Sequence, residues 1–172
     1  MASLLAAATG LVVMTASPEA SAGSFTLAGE LGVDVVTSDT EGEDVDTAGV
    51  SMAARLGYMF GGPIVRLTPE AKFGFESPGA DAFSIRGGAR VNFLAGISPA
   101  VFAHVGGLVG DMDGMIWDVG VGLDLVVLPL VDIGIFGAYN QVGNGTFHFA
   151  STSYQSSNWD WLQFGAQTAI HF

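Results

Sequence analysis

The 172 residues carry a formal charge of −12 and no cysteine, which excludes disulfides, thiolate-bound metals and a basic surface for nucleic acid. Only 13% of residues are charged, against roughly 25% in an ordinary soluble domain, while 49% are apolar and mean hydropathy is +0.48. No run of about 18 apolar residues exists to cross a bilayer as a helix, so the apolar content has to be distributed in another pattern.

At the start of the chain, residues 4–16 form a short apolar stretch, followed by Ser17-Pro18-Glu19 and Ala20-Ser21-Ala22. The last three match the small-x-small pattern of a signal-peptide cleavage site, so residues 1–22 are expected to be a signal peptide and Gly23 the mature start. No Lys or Arg precedes the apolar stretch, which makes the leader atypical or places the true start upstream.

Eight alternating segments follow. The first, residues 24–36, sends Phe25, Leu27, Leu31, Val33 and Val35 to one face and Glu30 and Asp34 to the other. The second, 49–60, alternates Val50, Met52, Ala54, Leu56, Tyr58 and Phe60 against Arg55. In the third, 64–76, Val65, Leu67, Ala71, Phe73 and Phe75 oppose Arg66, Glu70, Lys72 and Glu76. The fourth, 82–95, sets Phe83, Ile85, Ala89, Val91 and Phe93 against Arg86 and Arg90. All five basic residues of the chain therefore share one phase of three consecutive segments.

Contrast is weakest in the fifth segment, 100–110, where Val101, Ala103, Val105 and Val109 face away from Phe102, His104 and Leu108. The sixth, 116–127, sends Trp117, Val119, Val121, Leu123 and Leu125 out, with Asp118 and Asp124 in. The seventh, 131–142, sends Val131, Ile133, Ile135 and Tyr139 out, with Asp132 and Asn140 in. The eighth, 158–172, sends Leu162, Phe164, Ala166, Ile170 and Phe172 out, with Gln163, Gln167 and His171 in.

A water-soluble sheet would need its charged phase outside, and these charges are too few to coat such a surface. The pattern instead predicts an all-β, eight-stranded antiparallel up-and-down transmembrane β-barrel over residues 23–172, with charges in the lumen and hydrocarbon outside. Connections at 61–63, 96–99 and 128–130 are tight and uncharged; those at 37–48, 77–81, 111–115 and 143–157 are polar and on average longer. Outer-membrane barrels have short periplasmic turns, so both termini are expected on the periplasmic side. Phe25, Tyr58, Phe60, Phe93 and Phe172 should form one aromatic girdle, and Phe75, Phe83, Trp117, Tyr139 and Trp159 the other. Pro69 falls within the third segment, where it has no N–H to donate, and a local bulge is expected around it.

In architecture and in its terminal aromatic the chain resembles the small eight-stranded outer-membrane barrels typified by the OmpA transmembrane domain and OmpX. The resemblance covers residues 23–172. It implies that Ile170 and Phe172, in Ile170-His171-Phe172, serve as the signal read by the outer-membrane assembly machinery. Gln167 stands where that family usually has a glycine, with Gly165 two residues earlier. The periplasmic peptidoglycan-binding domain of full-length OmpA-type proteins does not follow Phe172, so cell-wall anchoring is not expected.

The candidate site is the lumenal charge set: Glu30, Asp34, Arg55, Arg66, Glu70, Lys72, Glu76, Arg86, Arg90, Asp118, Asp124 and Asp132. Eight-stranded interiors are usually just filled by side chains, and buried charges must be paired, so a structural network is expected. Inward glycines at 32, 57, 74, 88, 106, 120, 122 and 134 leave room for water, which keeps a small-conductance ion pore as the alternative. The carboxylates of residues 37–48 suit a divalent cation or, better, a solvated acidic loop. Phe147, Phe149 and Tyr154 among Ser, Thr and Asn suit an extracellular partner or glycan. His148, Ser151 and Asp160 match a catalytic triad in composition only, and no cofactor is implied. The expected function is a monomeric, non-enzymatic outer-membrane protein with a structural or surface-interaction role. A lipid A-modifying hydrolase and a soluble lipocalin-like carrier are lesser alternatives, the latter requiring the two faces to be exchanged.

Overall fold

Alternating side chains suit a ladder whose two faces meet different surroundings, and eight such strands form. The computed structural model describes residues 23–38, 48–62, 64–93, 97–149 and 152–172. The expected signal peptide and residues 39–47 of the acidic loop lie outside these. The strands are β1 (Ser24–Ser38), β2 (Ala48–Gly61), β3 (Val65–Glu76), β4 (Ala82–Phe93), β5 (Ile97–Gly110), β6 (Met112–Leu128), β7 (Val131–Phe149) and β8 (Thr152–His171). Each pairs antiparallel with its neighbour in sequence, and β1 pairs with β8, closing the sheet into a barrel. At the seam Phe25 and Phe172 exchange backbone hydrogen bonds of 2.8 and 3.0 Å.

The outward phase is predominantly apolar: Leu31, Val50, Ile85, Val101, Val121, Ile135 and Phe164 are all exposed on the outside of the barrel. Apart from Trp159, the expected faces hold along the strands, and the chain is an eight-stranded transmembrane β-barrel. Phe25 packs edge-on to Tyr58 at 5.1 Å and stacks on Phe172 at 6.3 Å, at the end where both termini lie. Toward the far end, Phe75 meets Phe83 at 5.4 Å and Trp117 meets Tyr139 at 5.5 Å. Trp159 is a correction: it lies on the inward phase and is buried, so it belongs to the interior and not to a girdle.

Pro69 produces no bulge. It pairs with Ala89 on β4, while on the β2 side the ladder skips the Tyr58–Pro69 and Met59–Thr68 positions and resumes at Phe60–Leu67 in the same register. The missing donor opens a gap where an inserted residue was expected.

Two expected loops are also corrected. Residues 143–149 and 152–157 continue the β7–β8 ladder from Gly143–Asn158 to Phe149–Thr152. Glycine and small polar residues signalled a loop there, yet Thr, Tyr and Phe are good strand formers and the register carries on unbroken through them. At 111–115, β5 and β6 are joined through Asp111 alone, with Gly110 and Gly114 at positive φ and a register shift beside Gly114. β5 likewise begins at Ile97, so Ser98 and Pro99 are strand and not turn. The wall formed by β6, β7 and β8 is thus the tallest part of the barrel.

Val121 is 61% exposed at the middle of β6. Val121→Arg is expected to block insertion, since an arginine on the lipid face at midplane costs about 2–4 kcal/mol, whereas Val121→Leu should insert normally. Heat-modifiable migration of the membrane fraction on a gel distinguishes the two.

Candidate functional site

The inward phase brings together residues far apart in sequence. Arg55, Lys72 and Arg86 are direct cross-strand neighbours on β2, β3 and β4, a row of like charges that would be unfavourable alone. Carboxylates from other strands separate them. Glu30 on β1 takes Arg55 Nε at 2.7 Å and Lys72 Nζ at 2.9 Å. Asp118 on β6 takes Arg86 Nη1 at 2.7 Å and lies 4.0 Å from Lys72 Nζ.

A ring of alternating charge results. From Glu30 it runs through Arg55 to Glu70 (2.8 Å), through His104 to Asp118, and back through Lys72. His104 is the strut across it, with Nε2 2.9 Å from Glu70 Oε1 and Nδ1 2.7 Å from Asp118 Oδ1. Both ring nitrogens face carboxylate oxygens, an arrangement satisfied when both carry hydrogen.

Two branches leave the ring. Toward the far end, Arg86 donates to Glu76 and to Asn140 Oδ1 (3.0 Å). Toward the terminal end, Arg90 donates to Asp124 Oδ2 at 2.7 Å, and Gln167 links Asp124 to Arg55 by donating to the first and accepting from the second at 3.0 Å. Phe102 and Phe136 fill the space between, with Arg90 5.5 Å from the Phe102 ring and Lys72 5.9 Å from the Phe136 ring.

Three members of the expected set stand apart. Asp132 pairs with His171 (2.8 Å) and not with an arginine. Arg66 is half-buried near the terminal end, with Met59 Sδ at 3.9 Å as its contact and no ion pair among the described residues. Asp34 is fully buried and accepts from Ser51 Oγ at 3.1 Å, with no basic partner within ion-pair distance. Ile170 and Phe172 lie on the outer surface, and the intervening His171 points inward.

The inward glycines lie close against neighbouring groups. A Cβ at Gly32, Gly57, Gly74 or Gly122 would come within 2.6–2.8 Å of Ser51, Thr68, Glu76 or Arg90 respectively. At Gly88, Gly106, Gly120 and Gly134 it would overlap Ala103, Ile85, Phe102 and Asp124. Their space is already occupied by neighbours. A cavity of about 40 Å³, lined in part by Arg66, Asn92, Asp132 and His171, remains toward the terminal end.

The far end is closed differently. Leu108, Met112, Ile116, Val142, Trp159 and Trp161, with Ala82, form an apolar cluster inside the barrel, and its members are at most 8% exposed. Sequence reasoning missed this plug, although the signal was present: the inward phase turns apolar at Leu108, Ile116, Val142 and Trp161. Loss of contrast there looked like weak alternation. Among the described residues no three His, Asp or Glu side chains are grouped to hold a metal. Ser151 and the side chain of His148 lie outside what the structure describes.

No family model matches the chain, and no curated protein matches it by sequence. Among solved structures it is similar to Neisserial surface protein A, at 16% identity over 88% of this chain and 99% of that one, with a TM-score of 0.56. A de novo designed transmembrane β-barrel aligns at 15% identity over 86% of this chain and 95% of that one, with a TM-score of 0.47. At such identities the likeness to the Neisserial protein is one of fold.

Arg86 is 1% exposed and holds both Glu76 and Asp118. Arg86→Leu would strand two buried carboxylates and is expected to lower stability by about 3–5 kcal/mol. Arg66→Leu should change it by under about 1 kcal/mol. Urea midpoints of the refolded barrels in detergent micelles measure both.

Proposed function

We propose that this protein is a closed, non-enzymatic barrel of the bacterial outer membrane with a structural or surface-interaction role. The observation that carries this reading is the filled lumen: a charge ring at mid-height, Phe102 and Phe136 packed beside it, and the apolar plug at the far end. Ion conduction needs a continuous polar path, and the plug interrupts one with seven apolar side chains.

In this reading the termini face the periplasm and the far end faces outward. Two features are then presented outside: the tall β7–β8 hairpin and the acidic connection that follows β1. The hairpin carries Phe147, Phe149 and Tyr154 on strands free of Lys, Arg, Asp and Glu between residues 142 and 159, a composition suited to contact with an extracellular partner or glycan. The acidic connection would meet divalent cations as a solvated, carboxylate-rich segment. Lipid covers the outside, the barrel acts as a monomer, and Ile170 and Phe172 are presented to the assembly machinery as the closing strand is added.

Planar-bilayer recording of refolded residues 23–172 tests the reading. A folded barrel that gives no discrete current steps supports it. Steps whose size changes in Arg55→Ala or Arg86→Ala would replace it with a charged pore.

A further inference from the structure

Glu30, Glu70, Glu76, Asp118 and Asp124 are buried in the lumen, and each touches at least one of Arg55, Lys72, Arg86, Arg90 and His104. One more carboxyl is buried there and touches none of these. Asp34 is 0% exposed, and it faces its neighbours on β2 and β8 without a base.

The charged groups on the strands around it are committed elsewhere. Glu30 of β1 holds Arg55 of β2 and Lys72 of β3. Glu76 of β3, a like charge, is held by Arg86 of β4. Asp118 of β6 is shared by Arg86 and by His104 of β5. On β7 the member of this network is the neutral Asn140. Gln163 of β8 stands directly across from Asp34, and the acid of that strand, Asp160, lies beyond it across from Ser38.

The hydrogen bonds at Asp34 lack a donor. Ser51 Oγ donates to Oδ1 at 3.1 Å, and Oδ2 is buried without one. Gln163 is also a hydrogen-bond partner of Asp34. Both hydrogens of its amide are directed elsewhere, to Ser51 Oγ and to Glu76 Oε2 at 3.4 Å, and its Oε1 is buried without a donor. Turning the amide over would set its oxygen against the Glu76 carboxylate. Two acceptors on contacting side chains lack one hydrogen between them, and a carboxyl that keeps its proton supplies it.

We propose that Asp34 keeps its proton in the folded barrel at pH values where the unfolded chain has lost it, making the β1–β8 seam a pH-sensitive closure. As the acid, Asp34 donates to Gln163 across the seam, and the remaining five carboxylates stand against five cations when both nitrogens of His104 carry hydrogen. As the anion it would be a buried charge with no cation and with Glu76 nearby, which burial disfavours. Ionisation removes the donor between β1 and β8, next to the place where their register already shifts, between Val36 and Ser38. Raising the pH therefore loosens the pairing that closes the barrel.

The test compares urea unfolding of the refolded wild-type chain and Asp34→Asn in lipid vesicles at pH 5 and pH 7, read by gel shift. Asparagine retains a donor and does not titrate. An unfolded chain releases the aspartic proton near about pH 4, so each pH unit above that weakens the folded wild type by up to about tenfold, until the folded carboxyl ionises as well. The ratio of the wild-type folding equilibrium to that of the variant is expected to fall at least about tenfold from pH 5 to pH 7. Taking the ratio removes the titration of His104, which both chains share. A ratio that stays constant or rises with pH overturns the proposal, because Asp34 then ionises in the barrel as readily as in the unfolded chain. Should Asp34→Asn fail to fold, Asp34→Ser takes its place under the same criterion.

Discussion

Peptide groups in hydrocarbon have no water to bond with, and the whole structure follows from satisfying them internally. A sheet achieves this only by having no edge, so the pairing of β1 with β8 is the step on which the other seven depend. Proline placement obeys the same constraint. Pro69 breaks its ladder on one side only and keeps its pairing with Ala89. Pro129 sits in the turn between β6 and β7, and Pro99 lies near the beginning of β5, where a strand tolerates a missing donor best.

Once the sheet is closed, the lumen is the one dry place left for charge, and the charges inside act mainly on register. A buried ion pair adds little net stability relative to an apolar pair of the same size. It does, however, penalise alternatives. A one-residue slip of β3 would turn Arg66, Glu70, Lys72 and Glu76 out toward lipid together, at about 2–4 kcal/mol for each base near midplane. The ring also ties strands that are not neighbours: His104 on β5 reaches Glu70 on β3, and Asp118 on β6 reaches Arg86 on β4. Each of these ties spans one intervening strand, where backbone hydrogen bonds cannot reach.

The outward face was legible in the sequence because lipid demands the same thing everywhere along a strand. Leu31, Val121 and Ile135 could be placed from their phase alone, and the inward set from Glu30 to Asp132 followed with them. Partners were not legible, because side-chain length and strand register decide whether Glu30 meets Arg55 or Arg66. The far end was misread for a different reason. There the inward phase is as apolar as the outward one, so Ile116, Val142 and Trp161 carry no alternation signal, and Trp159 was assigned to the wrong face. The Gly, Asn and Ser content of residues 143–157 points to a loop, while in 143–149 and 152–157 the strand tendency of Thr, Phe and Tyr prevails on a hairpin already templated by β7 and β8.

The glycines separate a filled barrel from a pore. Inward glycine leaves room only if nothing else enters it, and here long side chains lean across four of the gaps: Phe102 over Gly120, Phe136 over Gly165, Arg90 over Gly122 and Asp124 against Gly134. Small and large positions are complementary across neighbouring strands, as in a packed core. Exchanging Gly120, Gly122 or Gly134 for alanine would therefore press on a ring or a charged group. The buried bases are met in the lumen by carboxylates together with amides and hydroxyls, Arg55 by Glu30, Glu70 and Gln167, and Arg86 by Glu76, Asp118, Asn140 and Ser84.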